Sequence, residues 1–176
     1  MSNRRLKREF FDRSAVIVAP ELLGKYLVRK LKSGETLSGM ITEVEAYVGE
    51  KDLGSHAAGG RRTKRTEVMY GAPGHAYVYF TYGMHWLINV VCSKVDDPQA
   101  LFIRGLDTVT GPARLTKALS IDGKFHGEDL TENKELWLED RGVVIKKEDI
   151  MVTPRIGIPY AREWKEKPLR FIIQQT

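Results

Sequence analysis

Between residues 36 and 47 the side chains alternate in character. Met40, Thr42, Val44 and Ala46 fall on one side, and Ile41, Glu43, Glu45 and Tyr47 on the other. A period of two is the signature of a β-strand. The first set packs well, so the second set, with two carboxylates and a phenol, faces either solvent or a site. A strand over 26–31 precedes it, joined by the turn Lys32-Ser33-Gly34-Glu35. Further on, 76–82 and 84–92 read as the arms of a hairpin with Tyr82-Gly83 at the tip, and 101–106 as another apolar strand that contains Arg104. A buried arginine needs a partner. Short strands follow over 137–139 and 142–145 around an Asp140-Arg141 turn, and 169–173 is a closing strand.

Helical signals are few. Pro20 at a first helical position and Gly24 at a C-terminal cap outline a short helix over 19–24. A second helix opens at Gly111-Pro112 and runs through Arg114, Leu115, Ala118 and Leu119, and Trp164 sits in a short third one. Residues 49–73 are too irregular and glycine-rich for regular structure, and a loop this long in a compact domain usually carries function or is disordered. Pro154-Arg155-Ile156-Gly157 is a tight segment. The predicted architecture is α+β: a single domain, 1–176, with a curved, mostly antiparallel sheet, flanking helices and a protruding β-hairpin. Residues 1–9 are expected to form a basic flexible arm.

Composition narrows the class. Hydrophobic residues at 42% and charged residues at 29% are ordinary for a globular chain of 176 residues. No apolar run is long enough to span a membrane, and no secretory signal is recognisable, so a cytoplasmic location, nucleoid-associated in a bacterium, and a monomer are expected. Cys92 is the one cysteine, which excludes an intrachain disulfide and cysteine-based zinc; its apolar neighbours Val90 and Val91 make it read as a buried thiol. The net charge of +5 favours anionic partners. Arg4, Arg5, Lys7 and Arg8 form one basic group. Arg61, Arg62, Lys64 and Arg65 form a second, inside the stretch 41–89 where the acidic pair, the histidines and most tyrosines are concentrated.

Three sets of residues bear on chemistry. If Glu43 and Glu45 share a partly dry site, their repulsion raises one carboxyl toward the working range of a general base. Tyr47, Tyr77, Tyr79, Tyr82 and His56 are planar groups on which a nucleobase can stack. A tyrosine at a hairpin tip, where small polar residues are preferred, suits a wedge into a partner. Glu43, Glu45, Asp52, His56, His75, His85, Asp96 and Asp97 are potential metal ligands, but their spacing matches no strong metal motif. No metal or other cofactor is expected.

These residues together resemble the alkyladenine (3-methyladenine) DNA glycosylase family of mammals and many bacteria. The matching positions are Glu43, Glu45-Ala46-Tyr47 and Gly49; Asp52 and His56; Tyr77-Val78-Tyr79, Tyr82-Gly83-Met84 and Asn89; and Ile103-Arg104. Gly111-Pro112, Arg114-Leu115 and Ala118-Leu119 follow, then Pro154-Arg155-Ile156-Gly157 and Pro168-Leu169-Arg170-Phe171. The likeness covers nearly the whole chain. Residues 105–110 depart from it: this connection is shorter than the family's, with Asp107 near the usual acidic position and Thr110 in place of an asparagine.

The resemblance implies a mixed domain related to the C-terminal domain of methionyl-tRNA formyltransferases, acting on double-stranded DNA that contains damaged purines. It implies that Glu45 is the general base, that Arg104 helps hold the attacking water, and that the Ile156 carbonyl is a further ligand of that water. Tyr47, His56 and Tyr79 would sandwich a flipped purine, His56 would read its edge, and Asn89 would form the pocket wall. Tyr82, with Met84, would fill the gap in the duplex. Arg61, Arg62, Lys64, Arg65 and Arg114 would contact the DNA backbone. No lysine stands at a nucleophile position, so the expected products are free base and an abasic site. Two other readings fit the same groups: a non-catalytic nucleic-acid-binding module, and a metal-dependent phosphodiesterase built on Glu43, Glu45, Asp52 and His56.

Overall fold

The structure, a computed structural model, describes residues 4–174. In chain order the elements are β1 (Arg4–Arg5), α1 (Arg8–Phe11), α2 (Ala15–Leu22), β2 (Tyr26–Lys30), β3 (Thr36–Val48), β4 (Ala76–Thr81), β5 (His85–Cys92), β6 (Gln99–Leu106), α3 (Pro112–Ala118), β7 (Leu136–Asp140), β8 (Ile150–Thr153) and β9 (Arg170–Ile173). The strands form one sheet in the order β1-β7-β2-β3-β6-β5-β4, with β9 on β3 and β8 on β9. All of these pairings are antiparallel. The sheet stays open, and the molecule is a single α+β domain, as the alternation and turn signals imply.

β3 organises the sheet. Its first half pairs with β2, its second half with β9, and β6 runs along its other side. The pairing with β6 slips between Ile41 and Glu43 and again between Glu43 and Val44. Such a bulge inserts an extra residue and reverses the alternation beyond it. Ile41 therefore joins Val44 and Ala46 in the main core, rather than sharing a face with Glu43, Glu45 and Tyr47. Gly105 lies opposite Glu43, where a Cβ would come within 3.3 Å of the Glu43 Cβ. The absence of a side chain there leaves room for the glutamate at the bulge.

The two sheet faces are unequal. One packs Val44, Ala46, Val78, Ile88, Val90, Leu101 and Ile103 against Val18, Ala19 and Leu22 of α2 and Leu115 of α3. On the other, Tyr77, Val91 and Ala100 form a smaller cluster with Ala57, Met69 and Tyr70 of the loop 49–73. That loop contains two 3₁₀ turns, Ala58–Gly60 and Glu67–Tyr70. Cys92 is fully buried on the first face.

Several sequence expectations change. Arg4–Arg5 pairs with Glu139 and Asp140, Leu6 is buried, and Arg8 binds Asp129, so residues 4–9 are docked on β7 and its neighbours rather than forming a free arm. Residues 1–3 lie outside the described residues. α2 begins at Ala15, so Pro20 lies inside the helix; the buried Ala15, Val18, Ala19 and Leu22 give it a stripe the shorter reading missed. Residues 142–145 do not form a strand; the strand in this part of the chain is β8, which joins the sheet through β9. None of the described helices is long and apolar enough to cross a membrane.

Candidate functional site

Register brings the chemistry together. Arg170 of β9 lies opposite Glu45, Glu45 opposite Phe102, Phe102 opposite Asn89, and Asn89 opposite Tyr77. Directly opposed residues share a sheet face. One row across four neighbouring strands and β9 therefore aims these five side chains at the side covered by the loop 49–73. The residues two positions along, Tyr47, Tyr79 and Arg104, point the same way.

The loop 49–73, the segment 154–160 and this face enclose a cavity of about 330 Å³, within the range of small-molecule sites. Tyr47, His56, Tyr79, Asn89, Arg104, Ile156 and Tyr82 all line it. Tyr77, Phe102 and Tyr160 also line it. Phe102 and Tyr160 were not singled out from the sequence: Phe102 reads there as plain strand core, and Tyr160 follows the Pro154–Gly157 segment at a distance that carries no spacing signal.

Glu45 is fully buried behind this wall. Its Oε1 accepts from the Ile156 peptide N–H at 2.8 Å, and its Oε2 accepts from the Tyr47 hydroxyl at 2.8 Å. Arg104 Nε stands 3.5 Å from Oε1. Burial raises the Glu45 carboxyl above the ordinary 4.5, against the opposing pull of Arg104, the Ile156 N–H, Tyr47 and Arg155. Desolvation, not repulsion by Glu43, is thus the cause of the shift. Glu43 is occupied elsewhere: its Oε1 accepts from Arg104 Nε at 2.9 Å and from Arg170 Nε at 2.7 Å. Tyr47 is held protonated, well above the usual phenol range, by burial and by the Glu45 carboxylate. It is therefore a donor to Glu45.

Around the cavity His56 meets Tyr79 edge-on at 4.8 Å, and its Nδ1 is 2.7 Å from the Tyr77 hydroxyl. Burial, then the charges of Arg65 and Arg61, lower its pKa from 6.5 to about 4. A histidine neutral when folded and basic when unfolded resists protonation, so stability is complete above pH 6.5 and falls as the pH drops to about 4. The full loss is about 3 kcal/mol. Urea unfolding at pH 7 and pH 4.5 should show this decline in the wild-type protein and a shallower one in His56→Gln; equal slopes would mean that His56 titrates as a free imidazole.

The hairpin turn holds Tyr82 at φ 52° and Gly83 at φ 66°, and the Met84 N–H closes the turn on the Thr81 carbonyl at 3.1 Å. Two successive residues at positive φ suit glycine or asparagine, so a tyrosine in the first position is strained. Tyr82 is 87% exposed and Met84 66%. Arg61, Arg62, Lys64, Arg65 and Arg114 are all exposed. They are not equivalent: Arg65 lies over the Tyr79 ring at 5.9 Å, whereas Arg62 pairs with Glu67 and Asp96 and lies over Tyr70. Asp52, a potential metal ligand from its sequence context, is bound to the buried Arg155. Among the described residues no three histidine, cysteine or acidic side chains come together as a ligand cluster.

The family model described as Methylpurine-DNA glycosylase (MPG) matches residues 9–110 and 106–176, the two matches overlapping in the connection that follows Arg104. A protein of Carboxydothermus hydrogenoformans is 44% identical over 190 aligned positions, covering 97% of this chain and 96% of its own. One from Legionella pneumophila strain Lens is 44% identical, covering 98% and 96%. One from Desulfitobacterium hafniense is 39% identical over 200 positions, covering 98% and 97%. Each is named "Putative 3-methyladenine DNA glycosylase". An alignment of 200 positions exceeds the 176 residues here, so the last of these relatives carries insertions that this chain lacks.

Proposed function

The chain belongs to the methylpurine-DNA glycosylase family, and from that premise we propose that it excises damaged purines from duplex DNA by hydrolysing the N-glycosidic bond. The observation that carries this reading is the buried Glu45 directly behind an aromatic cavity. A purine in the stack keeps its glycosidic bond out of reach, so the base must first be turned out of the helix. Tyr47, Tyr79 and His56 are the faces and edges against which it would rest. The neutral imidazole of His56 and its backbone offer both donors and acceptors to the purine edge, and Asn89 closes the wall.

Water then attacks the anomeric carbon as the bond to the purine nitrogen breaks. The bonding electrons leave with the base, and the proton released by the water passes to Glu45. Each carboxylate oxygen has two lone pairs, so Glu45 retains acceptor capacity beyond Tyr47 and Ile156. Its raised pKa makes it a stronger base than an exposed glutamate. Arg104 places a positive charge at the same oxygen, where it orients the water. Ile156 adds a contact to the one expected by resemblance: its N–H bonds the Glu45 carboxylate, while its carbonyl would serve as the further ligand of the water. The test is incubation with alkylated duplex DNA followed by chromatography. Free modified purine and an abasic strand are expected; a retarded DNA complex with no released base would leave only a binding module.

Binding should weaken steeply with salt on any duplex, since each neutralised phosphate contributes about −0.9 to the slope of log K against log salt. Among the described residues Arg61, Lys64 and Arg65 form no salt bridge, and the charges of Arg65 and Arg61 reach His56 in the cavity wall, whereas Arg62 must first give up Glu67 and Asp96. Replacing the first three by glutamine should flatten the slope by about 2 to 3. Arg62→Gln should change it least. An unchanged slope in the triple variant would make this a solvated loop.

A further inference from the structure

We propose that Asp52 and Arg155 act as a positioning pair for this site, setting the Ile156 N–H against Glu45 and the Tyr47 ring against the cavity; this rests on the excision reading above. Both side chains are fully buried and neither belongs to the row of residues on the sheet face. Arg155 grips Asp52 at two points, Nη1 to Oδ2 at 2.6 Å and Nη2 to Oδ1 at 2.7 Å. Asp52 also accepts from the N–H groups of Val48 at 3.0 Å and Gly54 at 2.9 Å.

From this clamp three parts of the site are reached in one step. Arg155 Nη1 also donates to the Ala46 carbonyl at 3.0 Å, between Glu45 and Tyr47, and its guanidinium lies 4.5 Å over the Tyr47 ring. The next residue is Ile156, whose N–H holds Glu45. The Asp52 carbonyl accepts from the Ser55 N–H at 2.9 Å, which starts the turn into His56. A Cβ on Gly54 would come 3.0 Å from Arg155 Nη2, so the loop approaches the guanidinium closely only because that residue is glycine.

Stability alone is a poor reason for this arrangement. Buried ion pairs are frequently replaceable by apolar residues at no loss, and this one leaves Arg155 Nε buried without a partner. What an apolar pair would lose is the fixed geometry. The charged and titratable groups around Glu45 are Glu43 and Tyr47 on β3, Arg104 on β6, Arg170 on β9, Tyr79 on β4 and Arg155. Of these, Arg155 and the peptide beside it depend on the pair. Both favour ionised Glu45, so disturbing the pair should make Glu45 harder to ionise.

The test compares wild type with Arg155→Lys, which keeps the charge without the two-point grip, and with Asp52→Asn combined with Arg155→Met, which removes both charges and keeps bulk. Single-turnover excision is measured across pH, with thermal unfolding under the same conditions to correct for the folded fraction. The variants should excise about tenfold more slowly on the plateau. The acidic limb should move to higher pH by about one pH unit, the worth of a hydrogen bond to a charged group. Carbon-13 titration of the Glu45 carboxyl should move in the same direction without any turnover. Folded variants with the wild-type rate and wild-type limb would overturn the positioning role while leaving the excision reading intact. Wild-type protein that releases no base would overturn that reading itself. Arg155→Lys carries the comparison if the double variant does not fold.

Discussion

Glu45→Gln should slow base release by about 10²–10⁴-fold, the usual contribution of a general base, while binding to an abasic duplex stays close to that of the wild-type protein. The amide fits the same space. Its oxygen can accept the Ile156 N–H where Oε1 does now, and its NH₂ can meet the Tyr47 hydroxyl, which turns to accept. What disappears is the ability to take a proton from water. The stability change has a definite sign. Glu45 is buried and its folded pKa is raised, so the folded state holds that proton more tightly than the unfolded chain. Ionisation at neutral pH therefore costs stability, and the neutral amide should melt at the same temperature as the wild-type protein or higher. A catalytic group that is unfavourable for folding is the common trade between activity and stability. Excision at the native rate by Glu45→Gln would sink the assignment. Glu43 would be a poor successor, because its Oε1 is already shared by Arg104 and Arg170.

The alternation in β3 made the acidic face legible, but only in part. The phase was readable from Glu43 onward and wrong at Ile41, because the bulge depends on Gly105 across the strand pair and leaves no mark in the local pattern. The hairpin was legible because turn chemistry is local, and Arg104 because a guanidinium in an apolar strand demands a partner. Arg155 and Asp52 lie 103 residues apart, so nothing in either neighbourhood announces their contact. The same holds for Arg170 and Glu43, 127 residues apart. Residues 4–9 were misread for a similar reason: a basic segment looks like a free arm until the acidic edge of β7 is found beside it. Local periodicity thus located the polar groups that face the cavity side of the sheet, and long-range pairing decided which of them are engaged by one another.

Tyr82→Ser should reduce excision of a well-paired lesion by about 10- to 100-fold and leave folding almost untouched. The ring is 87% exposed, so it does not pack against the sheet, and a surface change of this kind shifts stability by about 0.5 kcal/mol or less. The turn keeps it at positive φ next to the cavity rim, a conformation more strained for tyrosine than for the asparagine or glycine that would serve a hairpin alone. Turning a base out of the duplex costs a few kcal/mol of stacking and pairing, and an aromatic ring in the gap recovers about 1–3 kcal/mol of it. Serine recovers none. The loss should therefore scale with how firmly the lesion is held: large opposite a matching base, small for a mispaired or looped-out lesion, because there the cost was already met. The comparison needs thermal unfolding beside single-turnover excision of one paired and one bulged lesion. Equal losses on both substrates would place Tyr82 in the chemical step or in the pocket wall, and an unchanged rate on both would leave its strained, exposed position without a role in opening the duplex.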